Sequence, residues 1–202
     1  MSMSAAQPDL FAPPLLPGLL QVENVLKPVE EQRLIGLIET VELSPFQFHG
    51  WSGKRLTASF GWRYDFDDAS IQPAAPIPDW LLPLRERSAQ IAGLRPDQFV
   101  QSLLVRYDPG AGIGWHRDRP VFEHVIGISL GAPATMRFRR RRAGGFDRAS
   151  VPLAPRSLYH LTGDARWRWE HSIAPMEVTR WSITFRSFSD KPARPGSRRS
   201  GR

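Results

Sequence analysis

FVQSLLVRYDPGAGIGWHRD (99–118) is the stretch on which the reading of this chain turns. Phe99 to Tyr107 is rich in β-branched, aliphatic and aromatic residues and stops at Asp108-Pro109-Gly110, so it reads as a strand leaving a sheet by a turn. The chain becomes extended again at GWHRD (114–118). On a strand, residues two apart project to the same face, so His116 and Asp118 can approach one metal ion together.

His-X-Asp alone is a short pattern that arises by chance in surface turns. The triplet HRD also belongs to the catalytic loop of protein kinases, but that loop needs an asparagine a few residues on. The only asparagine here is Asn24, and no glycine-rich phosphate loop opens the chain. The pattern gains meaning from His171 in WEHSI (169–173). Two histidines and one carboxylate form the facial triad of non-haem iron(II) oxygenases, which leaves coordination positions open for cosubstrate and oxygen.

Further runs follow the strand pattern: FEHVIGISL (122–130), TMRFRRR (135–141), RSLYHL (156–161), ARWRWEH (165–171) and RWSITFRSF (180–188). Short runs separated by Gly and Pro turns indicate an antiparallel sandwich or barrel. In RWSITFR (180–186), alternation puts Arg180, Ser182, Thr184 and Arg186 on one face and Trp181, Ile183 and Phe185 on the other. Two arginines on such a strand are costly unless an anion meets them, either a structural carboxylate or a dicarboxylate cosubstrate. The same alternation in ARWRWEH aligns Trp167, Trp169 and His171, which would set Trp169 against the metal pocket.

Towards the N-terminus, residues 1–20 read as an irregular arm. PVEEQRLIGLIETV (28–41) is an amphipathic helix with Pro28 at its first position. The aromatic, glycine-containing segment 44–68 reads as a hairpin or lid, and a second helix should run from Asp79 to a stop at Gly93. The tail KPARPGSRRSGR (191–202) has the composition of a disordered basic segment. The class is therefore α+β, mainly β.

The 202 residues allow one well-buried domain, and 41% hydrophobic content with seven Trp argues for a packed globule. With no Cys, disulfides, zinc fingers and thiol catalysis are excluded. No apolar run is long enough to span a bilayer, and MSMSAAQPDLFAPP lacks a secretory signal, so a cytoplasmic location is expected. The net charge of +7 comes almost wholly from arginine, with Lys27, Lys54 and Lys191 the only lysines. Arginine suits bidentate phosphate contacts, although an arginine-biased genome would give the same composition.

Taken together, RYDPGAGIGWHRD (106–118), VIGISLG (125–131), GDARWRWEHSI (163–173) and RWSITFR (180–186) resemble, in order, the AlkB-like branch of the iron(II)- and 2-oxoglutarate-dependent dioxygenases. More loosely, FGWRYDF (60–66) resembles that family's nucleotide-recognition lid. The resemblance implies a double-stranded β-helix, or jelly roll, over about residues 99–188. This core would lie in a single domain, 21–189, with flanking N-terminal helices and a lid at about 44–68. It makes His116, Asp118 and His171 ligands of Fe(II). Tyr107 and Arg180 would hold 2-oxoglutarate, Arg186 would lie near the cosubstrate and the metal, and Ser182 would stand beside them. The implied reaction couples oxidative decarboxylation of 2-oxoglutarate by O₂ to hydroxylation of a substrate C–H bond.

Three positions depart from the family pattern. Val105 and Ser182 stand where asparagines are common, and Pro120 replaces a carboxylate that repair members use in base recognition. If the substrate is an alkylated base in single-stranded DNA or RNA, it must stack between aromatic planes, for which Trp51, Phe60, Trp62 and Tyr64 are candidates. Arg137, Arg139 and Arg140 to Arg142 could line a backbone groove. Pro120 and Val105 favour instead the same chemistry on protein side chains or small molecules. A non-catalytic polyanion-binding module is opposed by the intact triad. A monomer without membrane attachment is expected.

Overall fold

Hydrophobic periodicity changes from helical to alternating at Phe99, and the architecture follows it. The computed structural model describes residues 16–48, 51–65 and 70–190. The elements in the N-terminal half are β1 (Leu19–Val22), α1 (Pro28–Glu39), β2 (Ser44–Phe48), β3 (Trp51–Phe60), β4 (Trp62–Tyr64), β5 (Ile71–Pro73) and α2 (Leu82–Ala92). Next come β6 (Phe99–Tyr107), β7 (Ile113–His116), β8 (Phe122–Gly131), β9 (Ala134–Arg142) and β10 (Gly145–Leu153). The last are β11 (Leu158–Leu161), α3 (Gly163–Trp167), β12 (Glu170–Ile173) and β13 (Arg180–Phe188).

The strands form a seven-stranded sheet ordered β1-β11-β8-β13-β6-β3-β2, a four-stranded sheet ordered β10-β9-β12-β7, and the small pair β4-β5. Every pairing is antiparallel. One face of the large sheet, with Leu104, Ile126, Ile128, Ile183 and Phe185, packs against Leu34 and Ile38 of α1 and Leu84 of α2. Ile38 is fully buried there, and its truncation to Ala would cost ~2–5 kcal/mol. The other face meets the small sheet, where Val125 and Leu161 join Met136, Phe138, Val151, Leu153 and Ile173. The cleft between the sheets receives the polar residues of β13.

The first helix starts and the second stops where the sequence indicates, while the second begins at Leu82 after a 3-10 turn at Asp79–Leu81. Pro28 opens α1, and Gly93 closes α2 with a left-handed φ of 68°. Three further features differ from expectation. Leu16 is buried and β1 pairs with β11, so the arm expected over 1–20 joins the fold from Leu16 onward. Residues 1–15 and the tail 191–202 lie outside the described residues. Strand β10 was not anticipated; Gly144 at φ 78° and Gly145 at φ 151° supply the tight turn that folds it onto β9. Finally, residues 163–167 of the expected strand ARWRWEH are helical, because Ala165 N–H donates to Pro17 O and the turn packs under β1. Tertiary contact overrides the alternation, so Trp167 does not share a face with His171.

Candidate metal centre

Antiparallel pairing of β12 with β7 sets His171 opposite His116, with the register irregular just beyond. The rings lie 4.2 Å apart between centroids. Asp118 follows two residues after His116, and its Oδ2 is 3.6 Å from His171 Nε2. One ligand atom from each of the three lies within 4.8 Å of the others. His116 Nδ1 is 2.9 Å from the Gly114 carbonyl oxygen, which can only accept, so Nδ1 carries the proton and Nε2 keeps its lone pair.

Electrostatics prepare the same atoms. Burial, the largest single influence, would raise the Asp118 carboxyl, but Arg186, His171, His116 and Arg166 together outweigh it and hold the group below the usual carboxylate range. Burial, reinforced by His116, pushes His171 down to about 3. Burial likewise lowers His116. Two neutral imidazoles and one carboxylate are therefore available near neutral pH, a donor set that fits a divalent transition metal. The buried Arg166 steadies the segment after Asp118 by donating from Nη2 to the carbonyl oxygens of Arg119 (2.7 Å) and Phe122 (2.6 Å). Nothing in the sequence marked Arg166 for this role.

Beside the triad lies a cationic recess. Along β13, Arg180, Ser182, Thr184 and Arg186 face inward as expected, next to Gly131, Ser129, Gly127 and Val125 of β8. Arg180 is 1% exposed, donates from Nε to Ser129 Oγ at 3.2 Å, and leaves Nη1 without a partner. No carboxylate forms an ion pair with it among the described residues. A buried guanidinium lacking a counter-ion fits an anionic ligand. The Tyr107 ring lies 5.2 Å from this guanidinium, and Val105 and Ser182 are register partners within the recess.

Two further residues here escaped the sequence reading. Tyr159 reaches over Gly127, where a Cβ would stand 2.2 Å from the ring's Cζ. Its hydroxyl has no hydrogen-bond partner among the described residues, and burial, with Asp118 and Tyr107 nearby, raises it to about 12. The smallness of Gly127 within VIGISLG was the available signal. Arg55 on β3 lies 3.7 Å over the Phe46 ring, and burial, with Arg186 nearby, lowers its pKa.

Residues 40–199 match the model of the 2OG-Fe(II) oxygenase superfamily. The chain belongs to that superfamily. It is 30% identical over 170 residues to the mouse tRNA (carboxymethyluridine(34)-5-O)-methyltransferase ALKBH8, covering 80% of this chain but 25% of that protein. It is 28% identical over 158 residues to Escherichia coli alpha-ketoglutarate-dependent dioxygenase AlkB, covering 70% and 68%. The structure of OsALKBH1 superposes with a TM-score of 0.64 at 17% identity, covering 85% of this chain and 98% of that one. The chain thus spans about a quarter of the length of the mouse relative. Its relatives make it AlkB-like within that superfamily, whose members use Fe(II), 2-oxoglutarate and O₂, and the His116, Asp118 and His171 donor set fits such a metal.

In this AlkB-like oxygenase the candidate aromatics part company. Trp62 packs edge-on against Phe188 at 5.3 Å, and Phe188 stacks on Phe122, which lies 5.5 Å from the Arg186 guanidinium. Tyr64 lies 4.7 Å beneath Arg119, next to Asp118 in the chain. Tyr64 therefore touches the residue next to Asp118, while Trp62 reaches the Arg186 end of β13 only through two intervening rings. Phe60 does neither: its register partner is Ser102, and it packs into the core under the helices. The side chain of Trp51 lies outside the described residues. Trp169 sits in the inter-sheet core with Phe138, whose ring is 6.0 Å from His171. Trp167 instead donates from Nε1 to Glu123. The arginine run also divides, since Arg140 pairs with Asp147 and covers Trp169 while Arg137, Arg139 and Arg141 face out.

Proposed function

We propose that this dioxygenase removes alkyl groups from the nitrogen atoms of nucleic-acid bases, within a double-stranded β-helix formed by its two main sheets. The observation that carries the cofactor assignment is the pairing of a neutral-His, ionised-Asp triad with the uncompensated Arg180 on the facing sheet. Ferrous ion, 2-oxoglutarate and O₂ together supply oxidation of a C–H bond; an oxidised N-methyl group is lost as formaldehyde. The side chains do the rest. His116 Nε2, Asp118 Oδ2 and His171 Nε2 hold the metal. Arg180 meets a cosubstrate carboxylate, with Tyr107 and Ser182 beside it. Arg186 keeps Asp118 ionised and lies next to the cosubstrate.

We take the β2–β3 hairpin and the β4–β5 pair as a substrate lid, with Trp62 and Tyr64 as the rings against which a base would stack. The nucleic-acid reading draws support from the relatives named above, from the net charge of +7 and from those two aromatics. A monomer acting in the cytoplasm on single-stranded substrate completes it. Pro120 favours a second reading, the same chemistry on protein side chains or small molecules. Substrate-dependent formaldehyde release across methylated DNA and RNA oligonucleotides and methylated peptides separates the two. Release from oligonucleotides is expected; release from peptides alone would replace the first reading with the second.

A further inference from the structure

The outer face of the small sheet is built from guanidinium groups laid on aromatic rings. On β9, Met136 and Phe138 go into the core, which leaves Arg137, Arg139 and Arg141 on the far side. Trp115 of β7 carries Arg137 at 5.3 Å and Arg139 at 4.5 Å. Phe146 of β10 carries Arg139 at 4.9 Å and Arg148 at 5.7 Å. Stacking occupies the flat faces of these groups; Arg137 Nε donates to Ser172 Oγ at 3.1 Å and Arg139 Nε to Glu170, so their Nη groups and the Arg148 guanidinium are what remain to meet a phosphate.

Beside this stack is a hollow of about 200 Å³ lined by Arg117, Arg139, Arg141, Arg168, Phe146 and Glu170. It is smaller than the ~300–1,000 Å³ of small-molecule sites, and its walls are charged rather than apolar. Glu170 accepts from Arg139 Nε at 2.6 Å, and Arg168 reaches Asp164 at 3.4 Å. Arg117 donates to the Trp167 carbonyl oxygen, and Arg141 and Arg148 have no carboxylate partner among the described residues. Positive charge is therefore in excess and positioned. Arg117 stands between His116 and Asp118, and β7 is the edge strand of its sheet, so the hollow and the metal centre lie back to back.

We infer that this hollow binds a backbone phosphate of the nucleic-acid substrate, whose strand passes from the metal pocket around the β7 edge. The inference rests on the nucleic-acid reading proposed above. Its test is fluorescence anisotropy of single-stranded DNA and RNA of about 15 nucleotides, each with one N-methylated base, titrated at several salt concentrations. Arg141→Glu and the milder Arg141→Gln are compared with the unaltered protein; the side chain is exposed and unpaired, so both should fold. Arg141→Glu should weaken binding by about tenfold or more, and log Kd should become shallower in log salt by ~0.7 for each phosphate that the hollow no longer neutralises. The ratio of kcat/KM for the oligonucleotide to that for a single methylated nucleotide should fall in parallel. Unaltered affinity and salt slope in both variants, with the parent still binding, would overturn the phosphate hollow and leave the substrate reading standing. Failure of the parent to bind either oligonucleotide would remove both.

Discussion

Arg186 clamps Asp118 through one oxygen only: its Nε and Nη2 lie 2.9 and 2.8 Å from Oδ1, which leaves Oδ2 turned towards His171. Both partners are largely buried, so neither charge is well solvated alone. Arg186→Met should therefore destabilise the metal-free protein by ~3–5 kcal/mol, the usual cost of stranding one member of a buried pair. A divalent ion supplies replacement positive charge and should restore part of that loss. Urea unfolding with and without Mn(II) measures both effects, and an unchanged midpoint would show that Asp118 does not depend on the clamp. His171→Ala, by contrast, should end 2-oxoglutarate turnover while circular dichroism stays nearly the same.

Arg180 gives the opposite signature, because its Nη1 has no partner to lose. Arg180→Met should leave metal-free stability level or slightly higher. Its effect should appear only with the anion present, as a more than hundredfold rise in the 2-oxoglutarate requirement, which corresponds to ~3–5 kcal/mol. Calorimetric titration of 2-oxoglutarate alongside urea unfolding separates these cases. A loss of stability with unaltered affinity would make Arg180 a structural residue.

Why could so much of this be read in advance, and not the rest? Period-two alternation is a local property, so β6, β8, β9 and β13 and the inward face of Arg180 to Arg186 were visible in single runs. Residue type and spacing brought His116, Asp118 and His171 forward as candidates, and the resemblance to the AlkB-like family gave them their role as ligands. What escaped depends on partners distant in sequence. The helical turn at Ala165 needs Pro17, Arg166 acts on carbonyls of residues 119 and 122, and Tyr159 is meaningful only beside Gly127. Phe60 was misjudged because aromatic content marks a lid and a core alike; only the register with Ser102 assigns its face.

Acid should loosen the metal-free fold through a second histidine pair. His124 Nδ1 and His160 Nε2 are 3.0 Å apart, a contact that needs one proton between them and not two positive charges. Burial, helped by His124, lowers His160 to about 4 from its ordinary 6.5. The unfolded chain then binds the extra proton first, so stability is full above about pH 6.5 and declines as pH falls towards about 4. His160→Gln cannot titrate and should make that part of the profile less steep, His171 and His116 supplying the slope that is left. Urea midpoints between those limits provide the check, and equal slopes for both proteins would exclude His160 as the source.

Gly127→Ala probes the packing that admits Tyr159 to the recess. The backbone at Gly127 is ordinary strand, so the effect must be steric: a Cβ there meets Cζ at 2.2 Å and the hydroxyl oxygen at 2.4 Å. Gly127 is flanked in register by Tyr159 on one side and Thr184 on the other, so the ring must swing from its place over the sheet. Overpacking of this kind costs ~1–3 kcal/mol. Shortening the ring should relieve it, so Gly127→Ala combined with Tyr159→Leu should be less destabilised than the sum of the single variants. A coupling of ~0.5–3 kcal/mol is the range for residues in contact. Urea unfolding of the two single variants and the double variant gives that number directly. Strict additivity would mean that Tyr159 already avoids position 127, and the glycine would need another explanation.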